Sequence, residues 1–203
     1  MTDSPADASR ARGRYPKGIA RRQEILDKAI EVFAQRGSKK TSLRAIAQEV
    51  GVTHAALTHY FGSLEELLVA VYRESERRHD ETDPEPPDIS PATAMRISAE
   101  KNRSIPGMVQ LYSILTANAI EDDHPAAQEF ATTRFSRLRD EISAQVRDLQ
   151  SSGRLRDDLD PVLVAALVIA ASDGLQTQWL LDPSVDHAGA LAMLDRLLAG
   201  DGA

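Results

Sequence analysis

Apolar residues recur at intervals of three and four along most of the chain, a spacing that predicts amphipathic α-helices. Ile25, Ala29 and Phe33 mark one face of a first helix, and Gly37 follows at a position typical of a left-handed cap. The same pattern predicts further helices over residues 42–50, 52–61, 63–78, 125–151, 160–181 and 187–199. No strand-like alternation or internal repeat occurs, so the predicted fold class is all-α.

The residues that begin two of these helices are suited to capping. Ser63 and Glu66 have the Ser-x-x-Glu spacing of a capping box. Asp160 is followed by Pro161, which predicts an N-cap and then a proline at the first helical position. The acidic run at residues 121–124 comes just before another proline, and we expect it to favour that helix start rather than to bind a cation.

Two breaks divide the helical pattern. A stretch rich in proline and acidic residues, DETDPEPPDISP at positions 80–91, cannot continue a helix and predicts a domain boundary. Beyond it, Pro106 and Gly107 interrupt the weaker pattern of residues 91–121, which predicts two shorter helices there. The whole chain should therefore contain about nine helices.

The stretch TSLRAIAQEVGVTHAALTHYF, residues 41–61, has the spacing of a helix-turn-helix. The small Ala47 lets two helices approach, Gly51 accepts the positive φ of a tight turn, and Val52 and Leu57 close the corner. An ordinary corner between two helices of a bundle matches this apolar spacing nearly as well. The pattern alone leaves both interpretations open.

Charge is distributed unevenly along the chain. The whole chain has a net charge of -7, yet residues 1–62 carry eleven Lys and Arg against six Asp and Glu, a net charge of +5. Neutralising phosphates requires local positive charge, so this asymmetry favours a basic head that contacts nucleic acid. A charged surface that contacts only solvent is the alternative.

Residues 25–74 resemble the DNA-binding part of the TetR family of transcriptional repressors. The shared features are the spacing from Phe33 to Gly37, Thr-Ser at the start of the second helix, Ile-Ala before the turn, Gly-Val in it, and Tyr-Phe-x-Ser before the fourth helix. Thr58 and Leu64 depart from the tyrosine and lysine usual in the family, and both positions commonly contact phosphate there. The stretch SDGLQTQWLLDP, residues 172–183, resembles the family's penultimate helix.

The resemblance implies an N-terminal three-helix helix-turn-helix domain and a C-terminal helical bundle for ligand binding and dimerisation. We expect a disordered basic arm at residues 1–17, the DNA-binding domain at 18–64, a connecting helix at 65–79, a linker at 80–91 and the effector-binding and dimerisation domain at 92–203. The expected partners are double-stranded DNA with a palindromic operator, a second copy of the chain, and an unknown small-molecule effector.

Within the head, the recognition helix would present uncharged hydroxyl, imidazole and methyl groups to base edges in the major groove, while Val52, Leu57 and Phe61 would face the core. Arg44 would contact a guanine, and lysines near the start of the second helix would hold phosphates together with backbone amides. The basic residues 10–14 would lie in a minor groove. The predicted DNA-binding residues are Lys40, Ser42, Arg44, Thr53, His54, Ala55, Thr58, His59 and Tyr60.

Dimerisation and effector binding would fall to the body. The resemblance implies a homodimer through the last two helices, and the alanine-rich first of these would permit close packing, although a helix buried within one protomer gives the same pattern. Polar residues within apolar helices are the candidates for an effector pocket, and satisfied core or interface positions are an equal alternative for each. The candidates are Asn118, Arg134, Asp173, Gln176 and Trp179.

Other functional classes lack sequence support. The chain has no cysteine, which excludes disulfides and thiolate sites, and none of the common nucleophile, phosphate-binding, dinucleotide or zinc-protease motifs occurs. His54 and His59 are five residues apart and diverge on a helix, so we expect no bound metal. Because the motifs above are missing, we also expect no cofactor and no catalytic residues. The longest apolar run, residues 161–171, is too short to cross a bilayer, so a cytoplasmic protein is expected. A helix-turn-helix that binds protein, or an all-α enzyme, is the alternative function.

Overall fold

The computed structural model describes residues 5–36, 43–82 and 89–200, and these ranges contain nine α-helices and no named β-strand. The helices are α1 Pro5–Arg36, α2 Leu43–Val50, α3 His54–Phe61, α4 Leu64–Thr82, α5 Pro91–Asn102, α6 Pro106–Asn118, α7 Pro125–Ser151, α8 Pro161–Leu181 and α9 His187–Leu198. The all-α prediction is confirmed, and the ends of α7 and α8 agree with those predicted from the sequence.

One difference from prediction lies at the N-terminus. The backbone is helical from Pro5, so residues 5–17 belong to α1 and do not form the disordered arm that was predicted. Alanine and arginine make up much of this stretch, and both are strong helix formers. Of the expected linker, residues 83–88 lie outside the described part of the chain, and α4 and α5 extend to either side of them.

The apolar faces of α1 to α4 form the core of the head. Its buried members include Ile25, Ala29, Phe33, Ile46, Ala47, Val50, Leu57, Phe61, Leu67 and Val71. The same cluster continues without a break into Leu111 and Leu115 of α6 and Phe130 of α7. Head and body therefore share one hydrophobic core.

A hydrogen-bonded cluster on one side of α4 fixes that helix to α1. Glu74 accepts hydrogen bonds from Arg77 and Arg78 on its own helix and from Gln23 of α1, the last at 2.8 Å. Arg78 also pairs with Asp27 of α1. The hydrogen bond from Arg77, together with those from Arg78 and Gln23, outweighs burial and lowers the pKa of Glu74 to about 2.

A second core joins α7, α8 and α9. Ile142 and Val146 of α7 pack with Val164 and Val168 of α8 and with Leu198 of α9. The predicted cap at the start of α8 is confirmed, because the Asp160 carboxylate accepts the backbone N–H groups of the second and third helical residues, the nearer at 2.7 Å. α5 packs across α9 and α8 and closes this part of the body.

α8 is unusual in being apolar on its exposed side as well as its buried side. Val164, Ala165 and Val168 are buried, whereas Leu163 is 63% exposed and Leu167 is 60% exposed. By length and composition alone this 21-residue helix could cross a membrane, because it extends well beyond the apolar run considered in the sequence. In the fold α5, α7 and α9 pack against it, which leaves one open apolar face.

Candidate functional sites

The turn between α2 and α3 has the geometry expected of a helix-turn-helix. Gly51 has φ +73°, and the N–H of Val52 donates to the carbonyl of Ala47 at 2.9 Å, which together end α2 in a Schellman motif. Thr53 then caps α3 by accepting the N–H of Ala56 at 3.1 Å. These local bonds fix the angle at which α3 leaves the turn.

The outer face of α3 is exposed and carries no lysine, arginine, aspartate or glutamate. Leu57 and Phe61 are buried on the inner face, as predicted. Five of the predicted DNA-contacting residues are exposed: Thr53, His54, Ala55, Thr58 and His59. Tyr60, also predicted to contact DNA, is half-buried beside them. Arg44 of α2 is also exposed, whereas Lys40 and Ser42 lie outside the described residues.

The two threonines of this face differ in what they offer to a ligand. The Thr58 hydroxyl donates to the carbonyl of His54 at 3.1 Å, so its proton is used within α3 while the side chain stays exposed. The Thr53 hydroxyl accepts the capping N–H, so its own proton is available to an outside acceptor. His59 packs edge-on against Tyr60, with ring centroids 5.2 Å apart, which orients both rings.

A cavity of about 290 Å³ lies within the body, between α4, α5, α6, α7 and α8. Its walls combine apolar side chains, including Met95, Met108, Leu138 and Ile169, with a polar cluster. Arg134 of α7 is the centre of that cluster, with its guanidinium 5.6 Å from the ring centroid of Tyr72 and 5.1 Å from that of Tyr112. The cavity therefore joins the helix that follows the head to the helices of the body.

Hydrogen bonds organise the polar cluster. Arg134 pairs with Glu76 of α4, and its Nε is buried without a hydrogen-bond partner. The Tyr112 hydroxyl donates to Oδ2 of Asp173 at 3.0 Å. Burial, reinforced by the charge of Asp173, raises the pKa of Tyr112. Burial also raises the pKa of Asp173, and it outweighs the hydrogen bond from Tyr112 and the charge of Arg134.

Three of the five residues predicted to line an effector pocket lie on this cavity: Arg134, Asp173 and Gln176. Asn118 is the last residue of α6 and Trp179 packs against His187, and neither is among the residues lining the cavity. His187 is buried at the start of α9, and burial lowers its pKa. The indole ring of Trp179 therefore contributes to the contact between α8 and α9.

Three residues of the cavity's aromatic and polar cluster were not predicted from the sequence. Tyr72 and Glu76 are one helical turn apart on α4, and Tyr112 lies on α6 with its ring stacked on that of Tyr72 at 5.2 Å between centroids. The four-residue spacing of Tyr72 and Glu76 predicts that the two side chains lie on the same face of α4. Which helix that face meets depends on tertiary packing.

A second contact connects head and body at the start of α7. His124, the N-cap residue, makes no side-chain capping bond, contrary to the capping expected from residues 121–124. Glu65 of α4 accepts the N–H of Ala126 at 3.1 Å instead, and its other carboxylate oxygen lies 3.1 Å from Nδ1 of His124. The carboxylate that favours the positive end of α7 thus comes from the helix that follows the recognition helix.

Comparison with protein families gives two matches that together cover most of the fold. A model of bacterial regulatory proteins of the TetR family matches residues 25–71. A model of the C-terminal part of BetI-type transcriptional repressors matches residues 115–200. The first includes the helix-turn-helix, and the second includes α7, α8 and α9.

Individual proteins agree with this assignment. The HTH-type transcriptional regulator BetI of Brucella anthropi is 43% identical over 53 residues, which are 26% of this chain and 27% of that protein. The match thus spans only about a quarter of this curated relative.

Two solved structures extend the likeness in fold to nearly the whole chain. A TetR-family regulator from a Rhodococcus species has a TM-score of 0.71 at 22% identity, over 88% of this chain and 98% of its own. A regulator from Saccharomonospora viridis, solved in complex with choline, has a TM-score of 0.62 at 19% identity, over 87% of this chain and 94% of its own. With both family models and the fold in agreement, the chain belongs to the TetR family of bacterial regulatory proteins.

Proposed function

We propose that the protein is a cytoplasmic transcriptional repressor that binds a palindromic operator as a homodimer and is released by a small-molecule effector. The single observation that carries this proposal is the exposed outer face of α3. That face is held by a capped helix-turn-helix and consists of hydroxyl, imidazole and methyl groups. Such groups match the donors, acceptors and thymine methyl of the major groove.

The charge of the head supports DNA as the partner. Residues 1–62 carry a net charge of +5 in a chain whose net charge is -7. Sequence-independent attraction to phosphates would come from basic residues outside α3, including Lys40, and discrimination between bases from α3 and Arg44. This division explains why a recognition helix can lack lysine and arginine.

Dimerisation is supported by the open apolar faces of α8 and α9. On α8 the exposed large side chains include Leu163, Leu167 and Leu181, and on α9 they are Met193 and Leu197. Small residues that permit close helix packing alternate with the leucines on the exposed side of α8: Ala166, Ala170 and Gly174. Two copies that cover these faces would form a four-helix contact and bring two recognition helices together.

Effector release is supported by the position of the cavity. It is bounded by α4, which carries Tyr72 and Glu76, and by α8, which carries Asp173. A ligand that changes the packing between these helices would move the head relative to the proposed dimer contact. The structure from Saccharomonospora viridis holds choline, so a protein of this fold accommodates a small molecule.

The proposal is tested by selecting bound sequences from a pool of random DNA duplexes with the purified protein. We expect enrichment of a palindrome whose half-sites are about one helical turn apart, roughly 34–36 Å or somewhat more. An Arg44→Ala protein carried through the same selection should lose preference at one base pair of each half-site. Recovery of no motif, or of a single half-site from a protein that is dimeric, would contradict the proposed arrangement.

A further inference from the structure

We infer that the cavity binds a small amphipathic primary amine, whose ammonium group donates to the carboxylate of Asp173 while its apolar part lies against the methionine and aliphatic walls. This inference rests on the proposed effector role of the cavity and adds the chemical class of the ligand. It makes one side chain, Asp173, responsible for recognising the ligand's charge.

The first support is the balance of charge around the cavity. Three carboxylates, two guanidinium groups and the imidazole of His79 line it. Arg134 pairs with Glu76, and Arg137 pairs with Glu141 at the exposed mouth at 3.4 Å. Among the described residues that line the cavity, Asp173 is therefore the one carboxylate that no ion pair neutralises.

The second support is the burial of that carboxylate. Its only hydrogen-bond donor in the described structure is the neutral hydroxyl of Tyr112, which contacts Oδ2. A buried ionised carboxylate without an ion-pair contact is unfavourable, and burial raises the pKa of Asp173 although the charge of Arg134 acts to lower it. A ligand ammonium group would supply the missing positive charge and donate to the free oxygen, Oδ1.

The aromatic rings explain why a primary amine fits better than a quaternary ammonium ion. Quaternary ammonium ions are commonly held over aromatic faces. Here the guanidinium of Arg134 already lies over Tyr72 and Tyr112, at 5.6 and 5.1 Å from their ring centroids. The remaining attraction for a cation comes from Asp173, whose free oxygen can accept a hydrogen bond that a primary ammonium group donates and a quaternary ammonium ion cannot.

The size and lining of the cavity restrict the rest of the ligand. A volume of about 290 Å³ is at the lower end of the range of roughly 300–1,000 Å³ usual for ligand pockets. The walls near Asp173 include Ile169 of the same helix, and Met108 and Val109 extend the apolar surface. A short alkyl or similarly compact apolar group therefore suits the space, and a bulky ligand does not.

The test measures binding of three matched probes to the full-length protein by isothermal titration calorimetry without DNA: hexylamine, hexyltrimethylammonium and hexanoate. We expect hexylamine to bind at least about tenfold more tightly than either of the others, as is usual for one hydrogen bond to a charged group. Asp173→Asn should abolish that preference. Asp148→Asn, which makes the same change at an exposed position of α7 that does not line the cavity, should leave hexylamine binding unchanged.

Several results would overturn the inference. Equal binding of hexylamine to the wild-type and Asp173→Asn proteins would mean that Asp173 does not recognise the amine, and a preference for hexanoate would assign recognition to Arg134. Failure of hexylamine to bind at millimolar concentration would exclude the amine class. Melting curves recorded in parallel show whether Asp173→Asn is folded, and Asp173→Ser, which also removes the carboxylate, provides a second variant that should lose the same preference. Because no DNA is present, these outcomes are separate from failure of operator binding.

Discussion

Replacing Leu167 with alanine removes a large apolar side chain from the centre of the exposed face of α8. Leu167 is 60% exposed in the single chain, and the proposed dimer would cover it. Full burial of a leucine contributes about 1.5–3 kcal/mol, so burying this exposed part contributes about 1–2 kcal/mol per protomer. A twofold interface loses this twice, about 2–4 kcal/mol, which weakens the dimer about 30- to 700-fold.

Sedimentation equilibrium over a wide range of protein concentration measures this change as the dissociation constant of the dimer. Ile19→Ala is a matched control, because Ile19 is 55% exposed but belongs to α1 of the head. The control should dissociate at the same concentration as the wild-type protein. A dissociation constant for Leu167→Ala within about threefold of wild type, or a monomeric wild-type protein, would refute the assignment of this face to dimerisation.

Two further predictions concern stability. The depressed pKa of Glu74, lowered chiefly by its hydrogen bond with Arg77, contributes stability that is complete above about pH 4.5 and is lost as pH falls towards about 2. Glu74→Gln should therefore lower the free energy of unfolding by about 1 kcal/mol at neutral pH, allowing for solvent screening. In urea titrations this difference from the wild-type protein should shrink as the pH falls from about 4.5 towards about 2. Glu81→Gln, at an exposed position of the same helix, should have much less effect. Asp160→Ala removes the cap of α8 and should lower the free energy of unfolding by about 1 kcal/mol, whereas Asp157→Ala in the preceding loop should not; equal effects of the two would contradict the capping role.

Local signals in the sequence were sufficient to predict most of the helices. Capping and turn residues act on their immediate neighbours, so Ser63, Gly51 and Asp160 mark helix ends in the sequence, and the structure shows each in that role. The apolar period likewise predicted that Leu57 and Phe61 would be buried. These features depend on spacing along one helix, which a single sequence displays directly.

Features that depend on contacts between distant helices were predicted less well. Asp173 and Trp179 are six residues apart in the same apolar helix. Nothing in the sequence indicates that one lines a cavity and the other contacts a neighbouring helix. The structure places Asp173 on the cavity and Trp179 against His187, because α8 meets different neighbours along its length. Glu65 of α4 likewise accepts the N–H of Ala126 at the start of α7, a contact between distant helices that spacing along one helix does not reveal.

The exposed apolar face of α8 was the hardest feature to interpret from sequence. Leu163 and Leu167 alternate with Val164 and Val168, so the pattern is apolar all round and is equally typical of a buried helix. The fold separates the two sets, with the valines buried and the leucines exposed. Only this separation indicates a surface that a second protomer could cover.

The measurement that tests the central claim most directly compares the affinity of the Arg44→Ala protein for its selected operator with its affinity for a random duplex. If Arg44 contacts a base beside α3, binding to the operator should weaken about 5- to 150-fold and binding to random DNA far less. Lys40→Ala, which removes a charge expected to contact phosphate, should weaken binding to both duplexes alike and reduce the salt dependence by about one unit of slope. Equal losses on both duplexes for Arg44→Ala would contradict base recognition by this face of the head.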